Sequence, residues 1–206
     1  MPASLHPNRR YGGKTTEERR GERREKLLDA GLELFGTVGY AATTIEMLCA
    51  ATRLHPRYFY EEFRTRESLL LAVYDRHVAT VLGAVLGALA AAPSDARARM
   101  EAGLAAFVDG ALADERAARI NYFEIVGVSP ALEARRREVL RAYAELIADE
   151  ISGLAPERRP PGEDRHLTAV AFVSATDGLI IDWLTTPTRT DRARIIATLV
   201  DIFMPE

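Results

Sequence analysis

The sequence predicts an all-α protein of about nine helices: a small amino-terminal head of three helices followed by a larger helical body. Three observations predict it. Every strong apolar period lies near that of an α-helix, no segment sustains the alternation of a strand, and helix-start signals recur along the whole chain.

In the first helix Leu27, Ala30, Gly31, Leu34, Phe35 and Val38 fall at i, i+3, i+4, i+7, i+8 and i+11, one apolar stripe on an amphipathic segment. Thr15 with Glu18 makes a capping box in front of it, and Gly39 is suited to stop it. Thr43 with Glu46 repeats the capping pattern and opens a second, shorter helix through about Ala51. His55 followed by Pro56 opens a third, because the N–H that proline lacks would have had no partner at the first helical position. Thr65 opens a fourth that runs to about Ala92. Beyond Pro93, Ser94-Asp95 starts a fifth helix, Asp114 begins a sixth that stops at Gly127, and Ser129-Pro130 caps a long seventh ending near Gly153. Residues 154–162, with three prolines, a glycine and two arginines, read as an exposed loop. Two helices follow, about Glu163 to Leu184 and Thr190 to Met204, and there is no internal repeat.

Of the 206 residues 48% are apolar, enough for a proper core. The single cysteine, Cys49, makes no intrachain disulfide and reads as a small core residue, and no secretion signal opens the chain, so the cytoplasm is the expected compartment. Val78 to Ser94 carries no charge but is mostly alanine and glycine. It reads as a buried helix, so no membrane partner is expected. Residues 1–66 hold 12 Lys+Arg against 9 Asp+Glu, a balance of +3, whereas residues 67–206 hold 15 against 21, a balance of −6. A basic front and an acidic back suggest that only the front faces a polyanion.

The second and third helices have helix-turn-helix spacing: about eight residues, a turn of three or four, then a short helix able to enter the major groove. His55 to Glu61 spans roughly 10 Å and that groove is about 12 Å wide, so the sizes are compatible. Phe59 is expected inward with Leu54 and Phe63, leaving Arg57, Tyr58 and Glu61 outward. Arg57 then suits guanine O6 and N7, Tyr58 a thymine methyl or a phosphate, and Tyr60 a phosphate. Arg9, Arg10 and Lys14 form either a DNA-contacting arm over residues 1–16 or a solvated tail.

At these residues the chain resembles the TetR-type transcriptional regulators. The resemblance runs through REKLLDAGLELFGTVGYAATTIEMLCAATRLHPRYFYEEFRTRESLLLAVYD, residues 24–75, and more loosely through TDGLIIDWLTTP near the end. It implies a DNA-binding domain over 17–66, with its helix-turn-helix at about 44–63, and a ligand-binding and dimerisation domain over 67–206. It further implies that Thr44, Tyr60 and Arg66 contact phosphates, with Thr43 in the same DNA-facing set, and that Arg53, His55, Arg57 and Tyr58 lie at or near base edges. The chain departs from the family pattern in three places. Arg53 stands where the turn glycine is usual, so the turn must accommodate a side chain or strain one. His55 replaces the usual serine or threonine cap, and Arg57 often finds glycine in its place.

In the body, Val170, Ala171, Ser174, Ala175, Gly178 and Leu179 recur at helical spacing, and the final helix carries Ile195, Ile196, Leu199, Val200 and Phe203. The resemblance implies that these helices pair with a second copy, placing Val170, Ala171, Ser174, Ala175, Gly178, Leu199 and Phe203 in a homodimer interface; an internal core is the alternative. It also implies a small-molecule pocket, for which His77, Phe107, Tyr122, Phe123, Tyr143, Thr176 and Asp177 are the candidate lining residues. Asp177 falls on an otherwise apolar line, where an unpaired carboxylate is costly, so it either bonds a backbone group or partner subunit or anchors a ligand.

The function these readings imply is a ligand-responsive repressor that binds a palindromic double-stranded DNA operator as a dimer and is released by a small, largely apolar effector. The chain has no phosphate loop, dinucleotide fingerprint or nucleophile elbow, and His6, His55, His77 and His166 lack metal-ligand spacing. No catalytic residue, cofactor or metal is therefore expected. The alternative is a helical protein–protein adaptor, whose binding would lack the steep salt dependence of a DNA contact.

Overall fold

The computed structural model describes residues 15–152 and 164–204. The expected basic arm and the proline-rich loop at 154–162 lie outside the described residues. Within them the chain forms α1 (Thr16–Thr37), α2 (Ile45–Thr52), α3 (Pro56–Glu62), α4 (Arg66–Ala91), α5 (Ala96–Ala111), α6 (Glu115–Arg119), a π-helical turn (Ile120–Glu124), α7 (Pro130–Ser152), α8 (Arg165–Thr185) and α9 (Arg192–Phe203), with no strand. The chain divides into two compact units, one ending at Val73 and one beginning at Tyr74, so the boundary falls inside α4.

In the first unit the capping box closes as expected. The Glu18 N–H donates to Thr15 Oγ1 at 3.1 Å and the Thr15 N–H to Glu18 Oε2 at 2.6 Å. At the other end of α1, Gly39 takes a φ of 99° and its N–H reaches the Leu34 carbonyl at 3.1 Å, a stop open to glycine. Val38, expected on the apolar stripe, is 45% exposed, because the helix ends one step too early to carry it inward. Leu27, Phe35, Leu48, Phe59, Leu69 and Leu70 are fully buried, and burial of each such side chain contributes about 1.5–3 kcal/mol. Gly31 permits the approach of α4: a Cβ there would stand 3.0 Å from Val73 Cγ2. Cys49 is buried in the same core and its thiol pKa is raised by burial, as befits a packing residue.

In the second unit α8 packs on α7 and α9 on α5. One apolar cluster joins Met100, Leu104 and Val108 to Phe172, Ile180, Leu199 and Val200, and a second joins Val81, Val85 and Leu89. Leu199 is fully buried there, and Phe203 sets its ring 4.8 Å from that of Phe172. That corrects the expectation for the final helix: the apolar band of α9 faces its own core, so Leu199 is not available to a partner. Trp183 is buried, donates its indole N–H to the Thr190 carbonyl at 2.8 Å, and has the Arg189 and Arg192 guanidinium groups over its ring at 4.2 and 5.2 Å. On α8 the residues Val170, Ala171, Ser174 and Gly178 are exposed, flanked by exposed Leu167 and Ile181, while Ala175 packs against the core. By length and composition α4 and α8 could each cross a bilayer. Val81, Val85 and Leu89 of α4 and Phe172, Ile180 and Trp183 of α8 fill the two clusters, while Leu86, Leu167, Val170 and Ile181 stay exposed.

Candidate functional site

The amino-terminal surface is built on α2 and α3. Thr44, not Thr43, caps α2: its Oγ1 accepts the Met47 N–H at 3.2 Å while the residue stays exposed. Thr43 is fully buried and gives its hydroxyl proton to the Gly39 carbonyl at 2.8 Å. It therefore closes the loop between α1 and α2 and leaves the DNA-facing set. Two adjacent threonines satisfy the same capping pattern, and only the direction of the loop decides between them.

Arg53 adopts the left-handed conformation, φ 55° and ψ 33°, at the end of α2. The Leu54 N–H then reaches the Cys49 carbonyl at 3.0 Å, the closure glycine usually makes, and a non-glycine residue carries a strain of about 1 kcal/mol in it. His55 caps α3 by accepting the Arg57 N–H on Nδ1 at 3.2 Å, which places its proton on Nε2. Phe59 is fully buried, Phe63 nearly so and Leu54 half-buried, holding α3 to the helices before it. His55, Arg57, Tyr58 and Tyr60 are left outward, with the Arg57 side chain 79% exposed and bonded through Nε to Glu61 at 2.9 Å.

Two arginines of α1 manage the acidic end of α3. Glu62, with only 2% of its side chain exposed, receives Arg20 Nε at 3.2 Å and lies 4.0 Å from Arg23, whose guanidinium also covers the Tyr58 ring at 4.8 Å. A buried carboxylate needs such partners, and their charge offsets the acids of this surface. Arg66 lies 4.4 Å over the Tyr40 ring and donates to the carbonyls of Ala41 and Thr43. Its geometry braces the loop leading to Thr44.

The second unit holds a cavity of about 100 Å³. Tyr74, His77, Val78, Val81, Val85 and Leu89 of α4 line it at i, i+3, i+4, i+7, i+11 and i+15, a stripe roughly 22 Å long. Of the expected lining residues, His77, Phe107, Tyr122, Tyr143, Thr176 and Asp177 are all there. Phe123 is not: it is 40% exposed, because the π-helical turn sends its two predecessors, Asn121 and Tyr122, into the cavity. The sequence reading also missed Tyr74, Asn121, Arg136 and the pair Arg99–Glu150. Tyr74 was readable, since it shares a helical face with His77 and Val81.

The cavity is polarised along its length. Toward one end lie Val85, Leu89, Met100 and Leu104, bounded by a bidentate ion pair of Arg99 with Glu150 at 2.8 Å for both bonds, the arginine also donating to the Leu89 carbonyl at 2.9 Å. Toward the other lie Tyr74, His77, Asn121, Tyr122, Arg136, Tyr143 and Asp177. Burial pushes the Asp177 carboxyl up to about 6, against the pull of Arg136 and the nearby Tyr122 hydroxyl. Burial, with the Asp177 charge adding to it, pushes the Tyr143 hydroxyl up to about 12, and that of Tyr122 well above its ordinary value. Burial lowers His77 against the opposing charge of Asp114, keeping its ring neutral. His77 Nε2, Asn121 Oδ1 and the Tyr122 hydroxyl are buried without a hydrogen-bond partner; the hydroxyl is near Asn121 and Asp177 but closes a bond of normal geometry to neither.

A short proline-led helix, seated on two others by a phenylalanine and turning an arginine and two tyrosines outward, is the architecture of helix-turn-helix transcriptional regulators. Residues 27–73 match the family of bacterial regulatory proteins designated tetR, and residues 117–203 match the C-terminal family of BetI-type transcriptional repressors. The chain belongs to the TetR family of DNA-binding transcriptional regulators. The HTH-type transcriptional activator FasR of Mycolicibacterium smegmatis is 28% identical over 168 residues, covering 80% of this chain and 74% of that protein. The transcriptional regulator FadR from Bacillus subtilis, solved with stearoyl-CoA, has the same fold at a TM-score of 0.79 and 13% identity, over 88% of this chain and 97% of that one. AibR, solved with isovaleryl coenzyme A and operator DNA, matches at a TM-score of 0.69 and 16% identity, over 87% and 97% of the two chains.

Proposed function

We propose that the protein is a ligand-responsive repressor that binds a palindromic operator as a homodimer in the cytoplasm, without catalysis, and leaves it when a small, largely aliphatic effector fills the cavity. The observation that carries the DNA reading is the division of α3, with Phe59 fully buried and Arg57, Tyr58 and Tyr60 outward. Arg57 takes guanine O6 and N7, Tyr58 a thymine methyl or phosphate, and Tyr60 a phosphate, with Arg53 and His55 near base edges. Thr44 accepts its cap bond on oxygen and so keeps a hydroxyl proton for a phosphate. Arg66 acts by holding the loop, and reaches a phosphate only where its Tyr40 seat allows.

The effector reading is supported by the apolar length of the cavity and by the acyl-CoA ligands of FadR and AibR. The dimer reading is supported by the family and by the exposed apolar and small residues of α8, Val170, Ala171, Ser174 and Gly178, with Leu167 and Ile181 extending the face. Operator and effector are then linked by one coupling free energy. Selection from random duplex DNA supplies the operator, and its affinity is titrated against stearoyl-CoA and isovaleryl-CoA. Weaker DNA binding with either supports the repressor. Tighter binding overturns release by the effector and leaves effector-dependent repression or activation, the latter being what FasR is named for, and indifference to every small molecule removes the sensor. Arg57→Ala is expected to relax one base position at a cost of about 1–3 kcal/mol, while Tyr60→Phe weakens all sequences alike. Equal effects of both on every sequence remove those assignments.

A further inference from the structure

We propose that the polar end of the cavity receives a hydrogen-bond-donating group of the effector, a hydroxyl or an amine on an otherwise aliphatic molecule, and rejects a free carboxylate. This rests on the reading of the second unit as an effector site and names the chemistry that site selects.

The polar end is assembled from four separate elements: His77 from α4, Asn121 and Tyr122 from the π-helical turn, Arg136 from α7 and Asp177 from α8. Local sequence does not force these groups together. Tyr122 is only 7% exposed, so its unpartnered hydroxyl is not a surface group awaiting water. A π-helical turn is rare and recurs at functional sites, and here it is what faces Asn121 and Tyr122 into the cavity.

Among the buried polar atoms left without a partner at this end, acceptors outnumber donors. Asn121 Oδ1 accepts and has no partner, and neutral His77 has a buried Nε2 without one. Asp177 adds carboxyl oxygens, while Thr176 gives its hydroxyl proton to the Phe172 carbonyl at 2.9 Å. The Tyr122 hydroxyl is the unpartnered donor among them, with the Tyr74 and Tyr143 hydroxyls and Arg136 on the same wall. A single hydroxyl supplies a proton to one of the acceptors and a lone pair to Tyr122. An amine supplies protons to several acceptors. An ether or ester offers no proton and leaves the acceptors unmatched, at the full cost of buried polar groups. A carboxylate brings a second negative charge beside Asp177, and Arg136, the cation on this wall, is already held by Glu133 at 3.2 Å.

The test is calorimetric titration of the full chain with 1-decanol, 1-decylamine, methyl decyl ether and decanoate at pH 8. The alcohol and the amine are expected to bind at least about tenfold tighter than the ether, with decanoate the weakest. Asp177→Leu, which removes an acceptor, is expected to bring the alcohol down toward the ether while leaving the ether unchanged or tighter; separately, Tyr122→Phe, which removes a donor that either oxygen accepts from, is expected to weaken both. The second variant removes one oxygen only, so it serves even where the first does not fold. Ether or decanoate binding as tightly as decanol overturns the proposal, and decanoate binding tightest would make this end an anion site on Arg136. If none of the four binds while stearoyl-CoA still shifts operator affinity, the proposal falls and the effector reading stands. If stearoyl-CoA, isovaleryl-CoA and all four are inert, both fall.

Discussion

The unit that ends at Val73 and the unit that begins at Tyr74 treat buried polar groups in opposite ways. In the first, the Thr43 hydroxyl is matched by the Gly39 carbonyl and Glu62 lies against Arg20 and Arg23; among the described residues Arg23 Nε alone is buried there without a partner. In the second, His77 Nε2, Asn121 Oδ1 and the Tyr122 hydroxyl stand unmatched around a single cavity, beside a carboxyl whose pKa burial has raised. A core selected for stability alone matches its polar atoms or excludes them. The first unit follows that rule, and the second breaks it where a guest would complete the bonding.

The largest expected effect tests the first half of this contrast. Phe59→Ala removes a fully buried ring from a small core and is expected to lose about 3–5 kcal/mol in denaturation followed by circular dichroism, with operator binding lost as well. That approaches the whole stability of a small domain. A loss below about 1 kcal/mol would mean that something other than the apolar core holds α3.

Next in size is the pH dependence that Asp177 gives the second unit. Its folded pKa of about 6 lies above the ordinary carboxylate range, so the folded chain holds this proton more tightly than the unfolded chain does. Stability from this group is fully present only below the ordinary carboxylate pKa, under about pH 4, and is lost as pH rises through about 6. Asp177→Asn is expected to stabilise the protein by about 1–2 kcal/mol at pH 8, to change little near pH 4, and to flatten the slope between them. Denaturant midpoints across that range decide it. A slope that survives the substitution belongs to another group.

The smallest effect sharpens the contrast from the other side, because in the first unit the strain lies in the backbone. Arg53→Gly relieves the left-handed turn and is expected to stabilise the protein by roughly 1 kcal/mol. If Arg53 faces DNA, the same change makes the salt dependence of operator binding shallower by about one unit of slope. A more stable variant with an unchanged slope would keep the strain and remove the contact.

How far each unit could be read from the sequence follows the same division. Its start and stop signals act over three or four residues, so Thr15 with Glu18, Gly39 and Pro56 announced α1 and α3 directly, and the α2 cap was missed only by the step between Thr43 and Thr44. The inward Phe59 and outward Arg57 followed from helical spacing alone. In the second unit six of the seven residues expected from the sequence do line the cavity, yet Phe123 was not separable from Tyr122 until the turn proved π-helical rather than α-helical. Arg99 and Glu150 meet across 51 positions, a pairing that no local period encodes. Leu199 was assigned to the wrong side because apolar spacing marks a buried face without saying what covers it.

The indole of Trp183 has a practical consequence. It is the chain's single tryptophan, and it shares a cluster with Tyr122 and Phe172, which line the cavity. Its ultraviolet emission therefore watches one unit and is blind to the other. Fluorescence and helical dichroism recorded on the same sample would resolve whether the two units melt together or in turn, and a guest entering beside Phe172 would announce itself by a change of colour, with no label attached.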